Sequence, residues 1–232
     1  MSKIKTLDQL QGILDQELSW RFKEIASLKI LVRRADNMAS TTAVRASIPL
    51  LYGHWEGFVK NTATHYLEYI NGQAIKYREL VSCFIVFGVK KKINELSASK
   101  QSETSIEAVE FLLNKLDQTA SLKVDSAIRT EFNLSSKVFV NILKSINIET
   151  KKYEARFNLI DESLLNRRNH IAHGEYLDVE PEGFRDLADE VLTMLRWFKT
   201  DIENAASLEQ YRNGYNQSLK PSGFPLPLQT DG

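Results

Sequence analysis

Residues 7–32 read LDQLQGILDQELSWRFKEIASLKILV, and this stretch decides the fold class of the chain. Apolar residues recur along it at steps of three and four, a spacing that lines one face of an α-helix and that no strand produces. They are Leu7, Leu10, Leu14, Leu18, Phe22, Ile25, Leu28 and Val32. The pattern predicts a helix of about 30 residues that begins after an N-cap at Thr6 and ends near Asn37.

Helical spacing continues through most of the remaining chain. A second long helix is predicted to run through Val44 to a stop formed by Asn71 and Gly72. Pro49 falls within this pattern and marks either the start of the helix or a kink in its first turns. Later helices are predicted over 80–96, 106–116, 138–146 (capped by Ser135 or Ser136), 161–174 and 184–198, with a polar loop over 97–105 and an extended piece within 119–134. The sequence therefore predicts an all-α protein with two long helices early and two consecutive helices late.

The charges of the chain balance. Its 232 residues carry 30 lysines and arginines and 30 aspartates and glutamates, a formal net charge of zero. Such neutrality argues against a protein that coats nucleic acid by charge alone. The charges are segregated, however, because residues 81–100 hold four lysines and one glutamate whereas residues 178–190 hold six acids and one arginine. A compact basic footprint is therefore compatible with the neutral total.

The length of the chain suits a single hydrophobic core. We expect one domain over 1–213 and a flexible tail over 214–232, where prolines and glycines are frequent. No apolar run is long enough to span a membrane, and the N-terminus lacks the apolar stretch of a signal peptide. Cys83 is the single cysteine, which excludes an internal disulfide and a cysteine-based metal cluster. These features predict a cytoplasmic protein without membrane spans.

Residues 166–175 read NRRNHIAHGE and place two arginines, two asparagines and two histidines at a predicted helix end. Imidazole titrates near neutrality and can move protons, while guanidinium stays charged and makes paired hydrogen bonds to phosphate. Gly174 would let the backbone turn His173 toward Arg168, five positions earlier. One chain supplies only one such pair, and cleavage of RNA by this chemistry needs both an acid and a base. A twofold dimer that brings two helix ends together would supply both.

Structural interpretations of these residues remain open. Cations near a helix C-terminus commonly satisfy its last carbonyls, and this role alone could explain Arg168 and His173. His170 and His173 lack a third ligand at a recognisable spacing, so no metal site and no cofactor is predicted. Other conspicuous residues also have structural interpretations: core packing for Trp55, an ion pair for Glu56 and Lys60, and an inert buried thiol for Cys83.

Two strings of the sequence resemble a known family. The string Arg168-Asn-His-Ile-Ala-His173 matches the Arg-x(4–6)-His motif of the HEPN superfamily, in which a polar residue, often Asn, follows the arginine. Residues 50–60, LLYGHWEGFVK, are similar to the Tyr-x-His-Trp-Glu-Gly-Phe string of the MAE-type HEPN branch. The resemblance covers residues 5–210.

The resemblance implies a dimeric HEPN-type helical bundle, with the motif at the end of the penultimate helix and a long C-terminal helix after it. Many members are metal-independent endoribonucleases that act as toxins or in anti-phage defence. In them the ribose 2′-OH attacks the adjacent phosphorus. On this reading Arg168, His173 and Asn169 are catalytic. Arg167 and His170 flank the motif and are candidates to contact RNA phosphate, with a solvent-facing pair as the alternative. RNA is then the substrate, a second copy completes the site, and an antitoxin or neighbouring defence protein is a further candidate partner.

The family also offers an alternative, because some HEPN members are catalytically silent modules that bind RNA or a protein. Regulation through Tyr176 is not carried over. Some HEPN toxins have a tyrosine one position nearer to the motif histidine, which a partner nucleotidyltransferase adenylylates, and the offset here argues against the same modification.

Overall fold

The computed structural model describes residues 4–98, 102–124, 128, 130, 133–176 and 179–214, and within them it contains α-helices and no strand. A 3-10 helix, Lys151–Arg156, and a π-helix, Leu159–Asn166, lead directly into α6. The α-helices are α1 (Leu7–Arg34), α2 (Asn37–Gly72), α3 (Ser82–Ala98), α4 (Ser102–Lys115), α5 (Ser136–Ser145), α6 (Arg167–Ala172) and α7 (Pro181–Ser207). The predicted all-α class is confirmed, with two long helices early, the motif in the penultimate helix and a long helix last.

Helix α1 begins where its capping residues require. The Thr6 hydroxyl accepts a hydrogen bond from the Gln9 N–H at 3.2 Å, and the Gln9 side chain accepts one from the Thr6 N–H at 3.2 Å. This reciprocal pair is a capping box, which satisfies two of the N–H groups that a helix start leaves without partners. The predicted N-cap at Thr6 is therefore confirmed, and the helix ends at Arg34.

Helices α1, α2 and α7 pack pairwise and form the centre of the molecule. Helix α7 runs antiparallel to α1, because higher residue numbers in α1 pair with lower residue numbers in α7. Lys29 Nζ lies 2.6 Å from the Asp189 carboxylate, and Lys199 Nζ lies 2.9 Å from that of Asp15. These ion pairs lie at the edge of the interface, and the apolar stripes of the three helices form the core between them.

Aromatic rings join the central helices to α5. The Trp55 ring of α2 meets the Phe139 ring of α5 edge to face at 4.9 Å, and Phe139 also contacts Tyr153 at 5.1 Å and Phe198 of α7 at 5.9 Å. All four side chains are fully buried. Edge-to-face pairs add about 0.5–1.5 kcal/mol each beyond the area that they bury. The prediction that Trp55 belongs to the core is confirmed.

Several predicted boundaries are wrong. Pro49 lies well inside α2 and does not begin it, because the flanking Val44, Ile48 and Leu51 are fully buried and hold the helix on both sides of the proline. The loop predicted over 97–105 is shorter, since α3 continues to Ala98 and α4 begins at Ser102. Of the extended piece predicted within 119–134, Thr119 forms an isolated antiparallel bridge with Lys76, and residues 120–124 lie outside any helix. The tail predicted over 214–232 lies outside the described residues from 215 onward.

The helix predicted from Asp161 to Gly174 is longer than its apolar pattern suggests. Helical backbone begins at Lys151 and reaches α6 through the 3-10 and π segments. The π-helix was not predicted, because its buried Ile160 and Leu164 are four residues apart, a spacing that an ordinary α-helix would also give. The Ser135 N-cap of α5, in contrast, is confirmed, because its hydroxyl accepts from the Val138 N–H at 3.3 Å.

A buried polar cluster joins α1 to α2. Arg21 is 3% exposed, donates to the Glu17 carboxylate at 2.6 Å, and stacks on the Trp20 ring at 4.3 Å. The side chain of His54 is also buried, with Nε2 3.4 Å from the Glu24 carboxylate. The sequence did not predict this burial of His54. It predicted an ion pair between Glu56 and Lys60 on the same helix, and the described residues show no such pair.

The burial of His54 predicts a pH dependence of stability. Burial lowers the pKa of His54, Arg21 lowers it further, and Glu24 opposes both. The unfolded chain therefore binds this proton more readily than the folded protein does. The stability from a neutral His54 is complete above the ordinary imidazole pKa of about 6.5 and is lost as the pH falls below it. We expect His54→Gln to flatten the decline in unfolding free energy between about pH 7 and pH 5.

Urea unfolding at several pH values measures this effect. His65→Gln is the matched control, because His65 is half-buried on the same helix and its Nδ1 contacts the Glu68 carboxylate at 3.1 Å. An unchanged slope in His54→Gln would show that His54 does not resist protonation in the folded state.

Candidate active site at the end of the motif helix

Helix α6 ends in a Schellman motif. The Glu175 N–H donates to the His170 carbonyl at 2.9 Å, and the Gly174 N–H donates to the Ile171 carbonyl at 3.1 Å. Gly174 has φ +76°, a left-handed conformation that glycine adopts without steric cost. The chain therefore reverses after His173, and His173 itself keeps its helical hydrogen bond to the Asn169 carbonyl at 3.0 Å.

This ending determines how the motif residues are arranged. The expectation that the backbone turns His173 toward Arg168 is wrong, because the turn comes one residue later. On helical spacing Arg168 and His173 are separated by about 140° around the axis, with Ala172 and Asn169 between them. These four residues form one strip along the helix end, which we call the motif strip. Ala172 is small and exposed, so the middle of the strip is open to solvent.

Arg168 is held at one edge of the motif strip. Its guanidinium carbon lies 4.3 Å from the centre of the Tyr52 ring in α2, and its Nη2 donates to Asn133 Oδ1 at 3.1 Å. A stacked and hydrogen-bonded guanidinium loses little further freedom when it binds an anion, because its plane is already oriented. Arg168 is half-buried, so part of its side chain stays open to solvent.

The residues 133–136 form a clamp between α2 and the motif helix. Asn133 contacts Arg168, and the Leu134 N–H donates to the Tyr52 hydroxyl at 2.6 Å. The backbone N–H and hydroxyl of Ser136 donate to the Asp161 carboxylate at 2.7 and 2.5 Å, inside the π-helix. The clamp thus ties together α2, α5 and the π segment that precedes the motif, and it sets the position of Arg168.

Tyr52 is a neutral support for Arg168. Burial raises the pKa of its phenol, while the hydrogen bond from the Leu134 N–H and the contact with Arg168 act in the opposite direction. The phenol therefore stays protonated at neutral pH. Its ring offers a π face to the cation, and its oxygen accepts the Leu134 N–H.

The remaining motif residues differ in placement. His173 is exposed and Asn169 is half-buried; their four-residue spacing puts them on one face. Helical spacing places Arg167 and His170 about 100° and 160° from Arg168, outside the motif strip. The His170 imidazole contacts the Glu175 carboxylate. The predicted RNA contacts of Arg167 and His170 stay predictions, and the structure does not bring them together with Arg168.

Cys83 and Tyr176 are the other residues discussed from the sequence, and the structure gives their exposure. Cys83 is half-buried, and burial raises the pKa of its thiol to about 11, which leaves it almost entirely protonated at neutral pH. Tyr176 is 79% exposed beyond the Schellman turn.

Across the described ranges, no three His, Cys, Asp or Glu side chains converge as metal ligands. None of the helices in the described part of the chain has the length and apolar character needed to cross a bilayer.

The geometry gives structural roles to four residues of the 50–60 string. Tyr52 supports Arg168, His54 and Trp55 pack against α1 and α5, and a Cβ at Gly57 would come within 3.3 Å of the Arg21 guanidinium. Sequence reasoning missed the role of Tyr52, although it stands in the string that carries the resemblance. It also missed Asn133, which no sequence signal marks.

A family comparison agrees with this arrangement. A family model described as HEPN_MAE_28990-like HEPN matches residues 11–211 of the chain. The chain belongs to the MAE-type HEPN-like family. Membership supports a nuclease-like or RNA-related module. No curated protein and no solved structure gives a significant match to this HEPN chain.

The support of Arg168 can be tested through Tyr52. Tyr52→Phe keeps the ring beneath the guanidinium but removes the acceptor of the Leu134 N–H, which then stays buried without a partner. We expect the unfolding free energy to fall by about 1–3 kcal/mol. Urea denaturation measures this fall in unfolding free energy. Tyr66→Phe is the matched control, because the Tyr66 hydroxyl is buried and has no hydrogen-bond partner among the described residues, so its loss should be neutral or stabilising. Equal effects of the two variants would contradict the role of the clamp.

Proposed function

We propose that the chain is a metal-independent endoribonuclease of HEPN type whose active site is composed across two copies. The observation that carries the proposal is the motif strip, in which Tyr52 and Asn133 orient Arg168 at one edge and His173 is exposed at the other. A fixed guanidinium and an accessible imidazole suit a reaction that moves protons around a phosphate. Family membership supports the same class of module.

The proposed reaction is transesterification within the RNA. The ribose 2′-OH loses its proton to a base and attacks the adjacent phosphorus. The bond from phosphorus to the 5′ oxygen breaks, and this oxygen receives a proton from an acid. The products are a 2′,3′-cyclic phosphate and a 5′-OH. Arg168 stabilises the charge on the non-bridging oxygens, His173 serves as acid or base, and Asn169 orients one of them.

The two proton transfers support a site with two copies. One copy places a single histidine in the motif strip, whereas the reaction needs an acid and a base. Within a copy Arg168 and His173 also lie at opposite edges of the strip. In the proposed dimer, a phosphate held by Arg168 of one copy would be met by His173 of a second copy, and twofold symmetry would supply both roles.

The direct test is incubation of the purified chain with RNA in excess EDTA. We expect cleavage products that end in a 2′,3′-cyclic phosphate, and we expect them to disappear in His173→Ala. An identical product pattern from the two proteins would reject the mechanism. Expression in bacteria tests the proposed role as a toxin or defence component, because growth arrest should occur with the wild type and be relieved by His173→Ala.

The second candidate function is a catalytically silent module that binds RNA or a protein such as an antitoxin. The contacts of Arg168 within its own chain favour it, because a stacked and hydrogen-bonded arginine can also serve structure alone. Fluorescence anisotropy with labelled RNA separates the two functions. Binding that persists without cleavage would favour the silent module.

A further inference from the structure

Helix α4 carries an apolar ridge that no other part of the described chain covers. Ile106, Val109 and Leu113 are 60%, 48% and 62% exposed, and their spacing places them in one row along the helix. The opposite side of α4, which includes Ala108, packs toward α3. A contiguous apolar row of this kind commonly marks a protein-binding site rather than ordinary surface.

One flank of the ridge is acidic. Glu103, Glu107 and Glu110 are all exposed, and they lie next to the apolar row along one flank of the helix. The ridge therefore presents apolar side chains next to three carboxylates, of which Glu107 also interacts with Lys92 of α3. A surface that receives it needs an apolar floor beside positive charge.

The same chain has such a surface between α1 and α7. A groove with a volume of about 600 Å³ runs along the two antiparallel helices. Its floor includes Phe22 and Ile30, which are 41% and 42% exposed, with the buried Phe184 and Leu192 beneath them. The groove is therefore apolar at its base and open to solvent.

Positive charge lines this groove. Lys29 and Asp189 pair with each other, and the other charged residues on the lining are Arg33, Arg185 and Arg196 against Glu182. Arg185 also lies 3.6 Å from the Asp186 carboxylate, so Arg33 and Arg196 remain against Glu182. The excess is positive, as the acidic ridge requires.

We propose that α4 of one copy docks in the α1–α7 groove of a second copy, with the ridge on the apolar floor and the glutamates toward the arginines. The lengths agree: α4 is about 21 Å long, and the groove spans about 16 Å of α1 from Phe22 to Arg33. Neither α4 nor the lining of the groove includes a residue of the motif strip, and the docking proposal does not rest on the proposed reaction.

The symmetry of this contact differs from that of the proposed catalytic dimer. The ridge and the groove are different surfaces of one chain, so a docked pair of copies still presents one free ridge and one free groove. Such heterologous contacts close into a ring or continue as a chain of copies. One helix in one groove buries an area at the low end for specific interfaces, so association should be weak and should decrease with salt.

Sedimentation velocity over a concentration range tests the proposal. Ile30→Asp places a negative charge in the groove, and Leu113→Asp places one on the ridge; both positions are exposed, so the fold should be kept. Each variant alone should stop concentration-dependent growth beyond the unit present at low concentration. Mixing the two should restore association, because the mixture contains one intact groove and one intact ridge. Leu208→Asp, at an exposed residue beyond the end of α7, is the control and should behave as the wild type.

Three results would overturn the proposal: no growth in the wild type, an effect of only one variant, or no recovery on mixing. An effect of Ile30→Asp alone would instead indicate another occupant of the groove, such as residues 215–232. RNA cleavage by each variant at low concentration separates this test from that of the enzyme. Loss of assembly with retained cleavage supports the docking contact, whereas an inactive wild type that still assembles contradicts only the proposed reaction.

Discussion

Replacement of His173 by alanine is expected to reduce RNA cleavage by roughly 10²–10⁴-fold, the usual contribution of one general acid or base. His173 is exposed at the end of α6, and its helical hydrogen bond is made by the backbone. The unfolding free energy should therefore change by less than about 0.5 kcal/mol. This combination of a large catalytic loss with a small stability change is what separates a catalytic histidine from a structural one.

The measurement is the rate of cleavage of a labelled RNA in EDTA, with thermal unfolding recorded on the same samples. His65→Ala is the matched control, because His65 lies far along α2 from the Tyr52 contact and pairs with Glu68. It should leave the rate unchanged. Equal rates for wild type and His173→Ala would remove His173 from the reaction and favour the silent module.

Replacement of Arg168 should affect cleavage and stability together. Arg168→Ala removes the positive group proposed to stabilise the transition state, and we expect a rate lower by about 10²–10³-fold. It also removes the stacking on Tyr52 and the hydrogen bond to Asn133, which together should contribute on the order of 1–2 kcal/mol of stability. Single-turnover cleavage and urea unfolding measure the two effects.

Arg168→Lys distinguishes charge from geometry at this position. Lysine keeps the positive charge, but an ammonium group cannot make paired hydrogen bonds to phosphate or stack its plane on the Tyr52 ring. We expect Arg168→Lys to show most of the loss in cleavage rate that Arg168→Ala shows. Arg167→Ala is the neighbouring control, and if Arg167 only binds RNA it should raise KM without lowering kcat. A stable, fully active Arg168→Lys would show that charge alone suffices, and a destabilised but fully active Arg168→Ala would assign Arg168 a structural role.

Local signals in the sequence account for much of the fold. Helix α1 follows its apolar spacing and begins at the Thr6 cap, α2 ends at Gly72, and α5 begins after Ser135. Each of these features depends on residues within a few positions of one another, and local spacing and capping are therefore sufficient to predict them. Pro49 is the instructive exception, because packing on both sides of it outweighs the local preference of proline to begin a helix.

The candidate site was predictable only in part. The string that contains Arg168, Asn169 and His173 is continuous, so its chemistry and its helix-end position could be inferred without coordinates. The π-helix before it could not be inferred, since its buried Ile160 and Leu164 are four residues apart, as they would be in an α-helix, and the apolar pattern does not distinguish the two. Nor could the support of Arg168, because its partners are distant in the chain: Asn133 is 35 residues away and Tyr52 lies on another helix.

The sequence by itself determined that the chain is all-α, that it resembles HEPN proteins and which side chains of the motif can act on a phosphate. Only the tertiary structure decided that Arg168 is clamped between Tyr52 and Asn133, and that the described residues leave the ridge of α4 and the groove of α1 and α7 uncovered. The physical reason is the range of the interactions. Helix formation and side-chain chemistry depend on neighbours along the chain, whereas the orientation of a guanidinium and the exposure of a surface depend on contacts between residues far apart in sequence.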